Sequence, residues 1–350
     1  MGTREQTTWS SIRHLCAYES AKRTLRVTYQ ISDSKIRSVI ASNIKLYINQ
    51  AFEFYSSASN ASSSTSPLFY YYCFMNLAKA LCEIRHADFR KMPESYRHGL
   101  SWSPKPGYSI KMSSESVNIS SRGIWHILWE VLTDKHCAIP NPTSLKIKEL
   151  FALCPEISAE YERAYHQASR LVRLEKPDSL CDESESELWL RFSPHRHNLK
   201  HLRITKHDFL RFISDGEDRY IQVANDERDN YTFELRTAKT MAARHVGPWF
   251  ELLMPEVKSM NLFVHPDVDH LEYYVPIQDR LPIHLHQLIL LYTLMFWLGS
   301  LVRYDPQSVS YLQDSGYWVL VEGFINQSRL LLLELFEWEF YQTETHVMSC

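Results

Sequence analysis

Glycine is scarce in this chain, at 9 of 350 residues, and the glycine-rich loops that bind phosphates are missing. Neither G-x-G-x-x-G nor G-x-x-x-x-G-K followed by Ser or Thr occurs, so the usual dinucleotide and nucleoside triphosphate sites have no support. So few glycines also disfavour a β architecture rich in tight turns. We therefore expect no bound cofactor.

Paired cysteines and a strong net charge are missing as well. The seven cysteines include no C-x-x-C, and their number is odd, which favours free thiols in a reducing compartment over a disulfide framework. The formal net charge is −3, so binding to a phosphate backbone is not the default expectation. These absences predict a cytoplasmic protein without a structural metal ion.

The apolar segments of the sequence are shorter than a typical membrane helix. The N-terminal residues lack the apolar core of a signal peptide. The longest apolar run, 288–302, is short of the roughly 20 residues that span a bilayer. We predict that this run is a buried core helix and that the protein does not associate with membranes.

Apolar residues recur at helical spacing near both ends of the sequence. The stretch 35–55 begins with Ile36, Val39 and Ile40, which follow the i, i+3, i+4 pattern of an amphipathic helix. Pro67 directly after a serine is typical of a helix start. The predicted helices cover 35–55, 67–86, 123–132, 143–153, 155–172, 284–304 and 317–340, with a polar loop over 56–66.

Strand-like sequence replaces this pattern between residues 185 and 278. Short segments rich in β-branched and aromatic residues follow one another, and the first of them alternates Leu188, Leu190 and Phe192 with polar residues. We predict a mostly α fold with a small β-region. In it, the N- and C-terminal helices form a helical bundle around a central β-containing insert.

The predicted boundaries follow from these changes in pattern. An N-terminal helical region covers 1–176, the β-containing insert covers 177–280, and the C-terminal helices cover 281–350. The C-terminal helices are expected to pack on the N-terminal ones in one composite domain. In particular, the apolar helices 67–86 and 284–304 each need a partner, so we predict that they share one core.

Four segments together resemble a known family. They are SPLFYYYCFMNLAKAL (66–81), RHGL (97–100), GIWHIL (123–128) and LILLYTLMFWLGSLVRYDP (288–306), and they occur in this order. The chain resembles the YaaC-like family from about residue 9 to residue 340. This resemblance implies a cytosolic bacterial protein, and it brings no catalytic residues with it.

Polar residues in the apolar helices suggest a binding site. Asn76 and Lys79 lie on one face of a predicted helix, and a buried lysine must find a partner or lose its charge. Arg303, at the end of another predicted helix, can grip the same anion. We predict that Tyr71, Asn76, Lys79 and Arg303 line one polar pocket inside the bundle. The structural alternatives are a lysine on the wet face and an arginine that binds helix carbonyls.

A second candidate is the basic stretch 191–207. Arg196 and His201 match the R-x4–6-H spacing of HEPN ribonucleases, in which arginine would steady a phosphate and histidine would transfer protons. The surrounding sequence is strand-like, whereas that motif belongs on a bundle helix, so we expect a basic surface loop. A third interpretation is a metal site, because H-x-H spacing can supply two metal ligands from one strand. The histidines of this stretch are His195, His197, His201 and His207.

The sequence leaves two functions open. The leading interpretation is a cytosolic YaaC-like protein that acts by binding a macromolecule, with a protein partner or a second copy of itself favoured. The alternative is a HEPN-like ribonuclease, a toxin or phage-defence effector that acts on RNA. The absence of established catalytic motifs favours the binding protein, and the polar residues in apolar helices favour a site.

Overall fold

A computed structural model describes the main part of the chain. It covers residues 3–86, 89–93, 97–104, 110–120, 122–133, 139, 143–175, 177–182, 187–213, 219–225, 231–235, 239–240, 260–267 and 270–342. The chain divides into two compact units. Met1–Tyr165 and Leu281–Thr343 form the first unit, and His166–Arg280 forms the second. The first unit therefore combines both ends of the sequence, and the second is inserted between them.

The first unit is built mainly of helices. In chain order these are α1 Arg4–His14, α2 Tyr18–Val27, α3 Ser34–Ser59, α4 Ser66–Arg85, α5 Ile124–Thr133, α6 Ile147–Phe151, α7 Ser158–Tyr165, α10 Gln287–Tyr304, α11 Pro306–Gln313 and α12 Trp318–Tyr341. Short 3-10 turns cover Phe89–Lys91 and Pro155–Ile157. The long helices have the ends expected from their sequences. Asp33 accepts the N–H groups of Lys35 and Ile36 at the start of α3, and Asp305 caps α11 before Pro306.

Helix α4 lies at the centre of the first unit. It packs against α3, α5, α10 and α12, and most of its side chains are buried. Helix α10 is buried at every residue from Gln287 to Leu301, which explains why its sequence is apolar on all faces. The predicted contact between the segments 67–86 and 284–304 is confirmed by the packing of α4 on α10.

A small antiparallel sheet accompanies these helices. Its strands are β1 Leu100–Ser101, β2 Ser116–Ile119 and β3 Thr143–Lys146, in the order β1-β2-β3. Leu100 pairs with Ile119, so the sheet begins directly after His98 and Gly99. The sheet therefore helps to fix the chain on either side of the 97–100 segment.

The second unit contains two antiparallel sheets and two short helices. One sheet has the order β10-β11-β4, from Phe263–Pro266, Leu271–Pro276 and Leu171–Leu174. The other has the order β5-β6-β8-β7, with β9 also paired to β6. Its strands are β5 Asp178–Asp182, β6 Glu187–Phe192, β7 Tyr220–Asn225, β8 Tyr231–Leu235 and β9 Lys239–Thr240. The helices are α8 Arg196–Leu202 and α9 Lys206–Ile213. Leu188, Leu190 and Phe192 are buried, as their alternation predicts.

The mostly α fold with a small β-region agrees with the sequence prediction, but three local predictions were wrong. Helix α3 continues through Ser59, into the polar stretch 56–66 that was predicted to be a loop. The segment 143–153 begins with strand β3, because Thr143 and Leu145 pair with β2. The segment 155–172 is helical only to Tyr165, since Leu171 and Val172 pair with β11. That pairing also places the start of the second unit earlier than the predicted boundary at 177.

Candidate functional site

Four segments that are distant in sequence meet in the first unit. They are 66–81 of α4, the connection 97–100, residues 123–128 at the start of α5, and 288–306 with α10. The first turn of α5 holds the connection, because the N–H of Ile124 donates to the carbonyl of Arg97 at 2.8 Å and that of Trp125 to the carbonyl of His98 at 3.2 Å. The indole N–H of Trp125 then donates to Thr293 Oγ1 of α10 at 2.8 Å.

Two glycines make the approach of the 97–100 connection to α5 feasible. Gly99 has φ of 81° and Gly123 has φ of 135°, a region that side chains disfavour. A Cβ on Gly123 would collide with the backbone nitrogen and the Cα of Gly99, far inside van der Waals distance. The position of His98 therefore depends on the absence of a side chain at residue 123.

A third glycine brings α10 close to α4. A Cβ on Gly299 would lie 3.1 Å from the Cβ of Tyr71, so a larger residue would push the two helices apart. The ring of Tyr71 contacts Tyr292 and Phe296 of α10, with centroids 5.7 and 5.3 Å away. This packing fixes the Tyr71 phenol at the edge of the helical core.

Tyr71 and His98 form the central hydrogen bond of the site. The phenolic oxygen of Tyr71 lies 2.5 Å from Nδ1 of His98. Burial, together with the neighbouring Tyr292 phenol, raises the pKa of Tyr71 well above its ordinary value, so the phenol keeps its proton. Burial lowers the pKa of His98, and the positive charges of Lys79 and Arg303 lower it further. The neutral imidazole therefore shares a hydrogen bond with the Tyr71 hydroxyl through Nδ1.

Lys79 and Arg303 supply positive charge around His98. Lys79 is half-buried, and burial lowers the pKa of its ammonium group. Arg303 is exposed at the end of α10 and donates from Nη1 to the Tyr72 hydroxyl at 2.6 Å. Within the described part of the chain, no carboxylate forms an ion pair with Lys79, His98 or Arg303. We call Tyr71, Tyr72, Lys79, His98 and Arg303 the His98 cluster.

The whole arrangement lies inside a region that matches a single protein family. A family model described as YaaC-like Protein matches residues 13–339. The chain belongs to the YaaC-like protein family. No curated protein and no solved structure matches it. The resemblance predicted from the four segments is thus confirmed. In this YaaC-like chain three of those segments contain the residues of the His98 cluster, and the fourth, 123–128, holds the connection that carries His98.

The structure separates the four predicted pocket residues. Tyr71, Lys79 and Arg303 belong to the His98 cluster, whereas the side-chain amide of Asn76 donates to the Tyr72 carbonyl of its own helix at 2.9 Å. Tyr71 is buried, Lys79 is half-buried and Arg303 is exposed, and their lining of one pocket inside the bundle stays a prediction. Sequence reasoning missed His98, although it lies in the RHGL segment that carried part of the family resemblance.

The basic stretch of the second unit differs from its prediction as a surface loop. Arg196 and His201 lie on the short helix α8, which begins after His195. The guanidinium of Arg196 lies 5.3 Å from the ring centroid of Tyr231, and the imidazoles of His197 and His201 stack with centroids 6.1 Å apart. The segment therefore forms a short helix between strand-like flanks.

One group of described residues has the spacing of metal ligands. Potential ligand atoms of Asp267, His270 and Glu272 lie within 4.8 Å of one another next to the β10–β11 connection. Both carboxylate oxygens of Glu272 already have protein partners, Arg173 Nη2 at 2.7 Å and the Tyr274 hydroxyl at 2.6 Å. We therefore assign no metal to this group, and the expectation of a protein without structural zinc stays a prediction.

One described helix is long and apolar enough to cross a membrane. It is α10, Gln287–Tyr304, of which 83% is buried inside the first unit. The buried central helix of a protein core can have the same length and composition as a membrane-spanning helix, so α10 is only weak evidence that the chain crosses a membrane.

Proposed function

We propose that this YaaC-like protein is a cytoplasmic binding protein that recognises an anionic group of a macromolecular partner at the His98 cluster. It acts by binding and performs no reaction itself. The observation that supports this proposal is that the Lys79 ammonium and the Arg303 guanidinium both lie near the His98 imidazole, without a described carboxylate among them.

The energetics of Lys79 favour an anionic ligand. Its lowered pKa means that the surrounding protein makes the ammonium charge less stable than it is in water. An anion within hydrogen-bonding distance would offset this cost through charge-assisted hydrogen bonds.

Cytoplasmic location rests on two features of the described residues. Cys16, Cys73, Cys82 and Cys154 are free thiols, which fits a reducing compartment. The apolar helix α10 has its packing partners inside the first unit, including α4 and α12. Both features support the proposed cytoplasmic location, and neither of them requires a membrane.

Ribonuclease activity has less support. Arg196 and His201 are five positions apart on α8, so their side chains leave the helix about 140° apart. Arg196 also lies over Tyr231. A joint grip on one phosphate would require both side chains to turn away from these positions.

Calorimetric titration with inorganic pyrophosphate tests the proposed function. The wild-type protein is expected to bind it at pH 7 and low salt, and Lys79→Met and Arg303→Met to bind it at least tenfold more weakly. Lys22→Met is the matched control, since Lys22 is also a half-buried helix lysine but has a carboxylate neighbour, Glu19, at 3.8 Å. No binding by the wild type, or equal binding by all four proteins, would contradict the proposal.

A further inference from the structure

One exposed aromatic ring, that of Tyr304, flanks the His98 cluster, and the ring of Tyr72 within the cluster is half-buried. Tyr304 is 56% exposed, and the Arg303 guanidinium lies 5.1 Å from its ring centroid. Tyr72 is half-buried, and its ring stacks on Phe54 with a centroid distance of 5.3 Å and an interplanar angle of 26°. At this exposure the Tyr304 ring is accessible to a ligand.

These rings adjoin the same groups that would hold the anion. The Tyr72 hydroxyl accepts its hydrogen bond from Arg303. Tyr304 is near enough to Tyr71 for its phenol to contribute to the raised pKa of Tyr71. Positive charge and flat aromatic surface therefore occur together at the C-terminal end of α10.

This combination fits a nucleotide better than an acidic peptide. A phosphate takes hydrogen bonds from ammonium, guanidinium and imidazole N–H groups, and every base has a face that stacks on an aromatic ring. A carboxylate-rich peptide uses the cations alone and leaves the exposed ring without a role. Arg303 can also stack on a base through its planar guanidinium.

We propose that the His98 cluster holds a phosphate of single-stranded nucleic acid while an adjacent base stacks on Tyr304. This assignment rests on the proposed function and names the partner of that site. Because Arg303 and Tyr304 are exposed, a strand in solvent can reach this side of the site. Because one phosphate is held, the logarithm of the affinity should fall with the logarithm of salt concentration at a slope of roughly −0.7.

Fluorescence anisotropy with labelled ten-nucleotide strands of oligouridine and oligothymidine tests this assignment. Wild-type protein is expected to bind both strands, Tyr304→Ala to bind them at least tenfold more weakly, and Tyr304→Phe to bind within threefold of wild type. Tyr18→Ala is the matched control and should bind as wild type does. Tyr18 is also an exposed tyrosine, at 42%, with the Lys22 ammonium 4.9 Å from its ring centroid.

The outcomes separate this inference from the proposed function. Tyr304→Ala should still bind pyrophosphate like the wild type, because the ring makes no contact with the anion. Lys79-dependent pyrophosphate binding without any binding of the strands would overturn the nucleic-acid assignment and leave the anion site in place. If uridine monophosphate bound as tightly as oligouridine, the ligand would be a mononucleotide and not a strand. If decaglutamate competed equally well, the site would recognise negative charge and not nucleic acid. Shortening of the RNA during the assay would overturn a function limited to binding.

Discussion

The arginines of the second unit and the cations of the His98 cluster have opposite surroundings. Arg170 pairs with Asp279 at 2.5 Å, Arg173 pairs with Glu272 at 2.7 Å, and Arg191 donates from Nε to Glu234 at 2.7 Å. Each of these arginines has its carboxylate on a nearby strand or connection. Lys79 and Arg303 have none among the described residues.

The difference shows that the number of positive residues in a stretch of sequence says little about binding. The segment 191–207 is far richer in Arg, Lys and His than 66–81, yet Arg191 is already neutralised by Glu234. An ion pair that is complete within the fold has little left to offer a ligand. A cation whose counter-ion is missing from the fold is the better candidate for a site.

The largest effect is expected from Gly123→Ala. This substitution would move His98 away from Lys79 and Arg303, and the contrast with the paired arginines of the second unit would then be lost. The new Cβ would meet the backbone of Gly99, and φ of 135° is strained for alanine. We expect a loss of about 3 kcal/mol in the free energy of unfolding, measured by urea denaturation. Gly316→Ala is the control, because a Cβ added at Gly316 would meet no atom within 4 Å. Equal stability of both variants would show that the glycine contact does not fix His98.

The second prediction concerns Glu156, a buried carboxyl group without a described cation beside it. The His98 cluster is the opposite case, because its cations have no described carboxylate beside them. Glu156 is 5% exposed, and its Oε1 accepts from Ser328 Oγ at 2.5 Å. Burial raises the pKa of Glu156 to about 7. The folded state therefore binds more protons than the unfolded state, and stability falls as the pH rises from about 4.5 towards 7.

Glu156→Gln should remove this pH dependence. Between pH 5 and pH 8, the wild type is expected to lose about 2 kcal/mol more stability than the variant, in urea denaturation at both pH values. Burial also raises the pKa of Glu334 to about 7, but this group is present in both proteins and drops out of the difference. Parallel pH profiles would show that Glu156 is not the group responsible.

The smallest effect on stability is expected from replacing one cation in each unit, which compares a paired cation directly with one that has no carboxylate partner among the described residues. Arg191→Met should lower the free energy of unfolding by about 1 kcal/mol, because Glu234 is mostly buried and loses its partner. Lys79→Met should leave it unchanged or raise it slightly, since a poorly solvated charge is replaced by an apolar side chain. Melting temperatures of the two variants measure both changes. A clear drop for Lys79→Met would mean that a carboxylate of the chain holds this lysine.

Periodicity predicted the elements whose surroundings are uniform along their length. Helices α3, α4, α10 and α12 and the alternating strand β6 were found from sequence, because one face or every face of each is buried in a core. Strand β3 was missed, since its pairing with β2 depends on residues distant in sequence. Tertiary pairing overrode the local helical pattern there.

The candidate site was only partly predictable for the same reason. Lys79 drew attention because a charge stands in an apolar run, and Arg303 because it ends an apolar helix. His98 has no such local signal, since it becomes special only where Tyr71, Lys79 and Arg303 approach it in three dimensions. Asn76 gave a misleading signal, because a polar side chain in a helix can bond to its own backbone.

The division of the first unit between both ends of the sequence has a consequence for synthesis. Helices α1–α7 leave the ribosome first, but α10 and α12 follow only after the whole of His166–Arg280 has been translated. During that interval the faces of α4 that later contact α10 and α12 have no partner. Closing this long chain segment is slow, and an apolar surface that waits for it is prone to aggregation. The nascent protein should therefore depend on a chaperone until its last helix emerges.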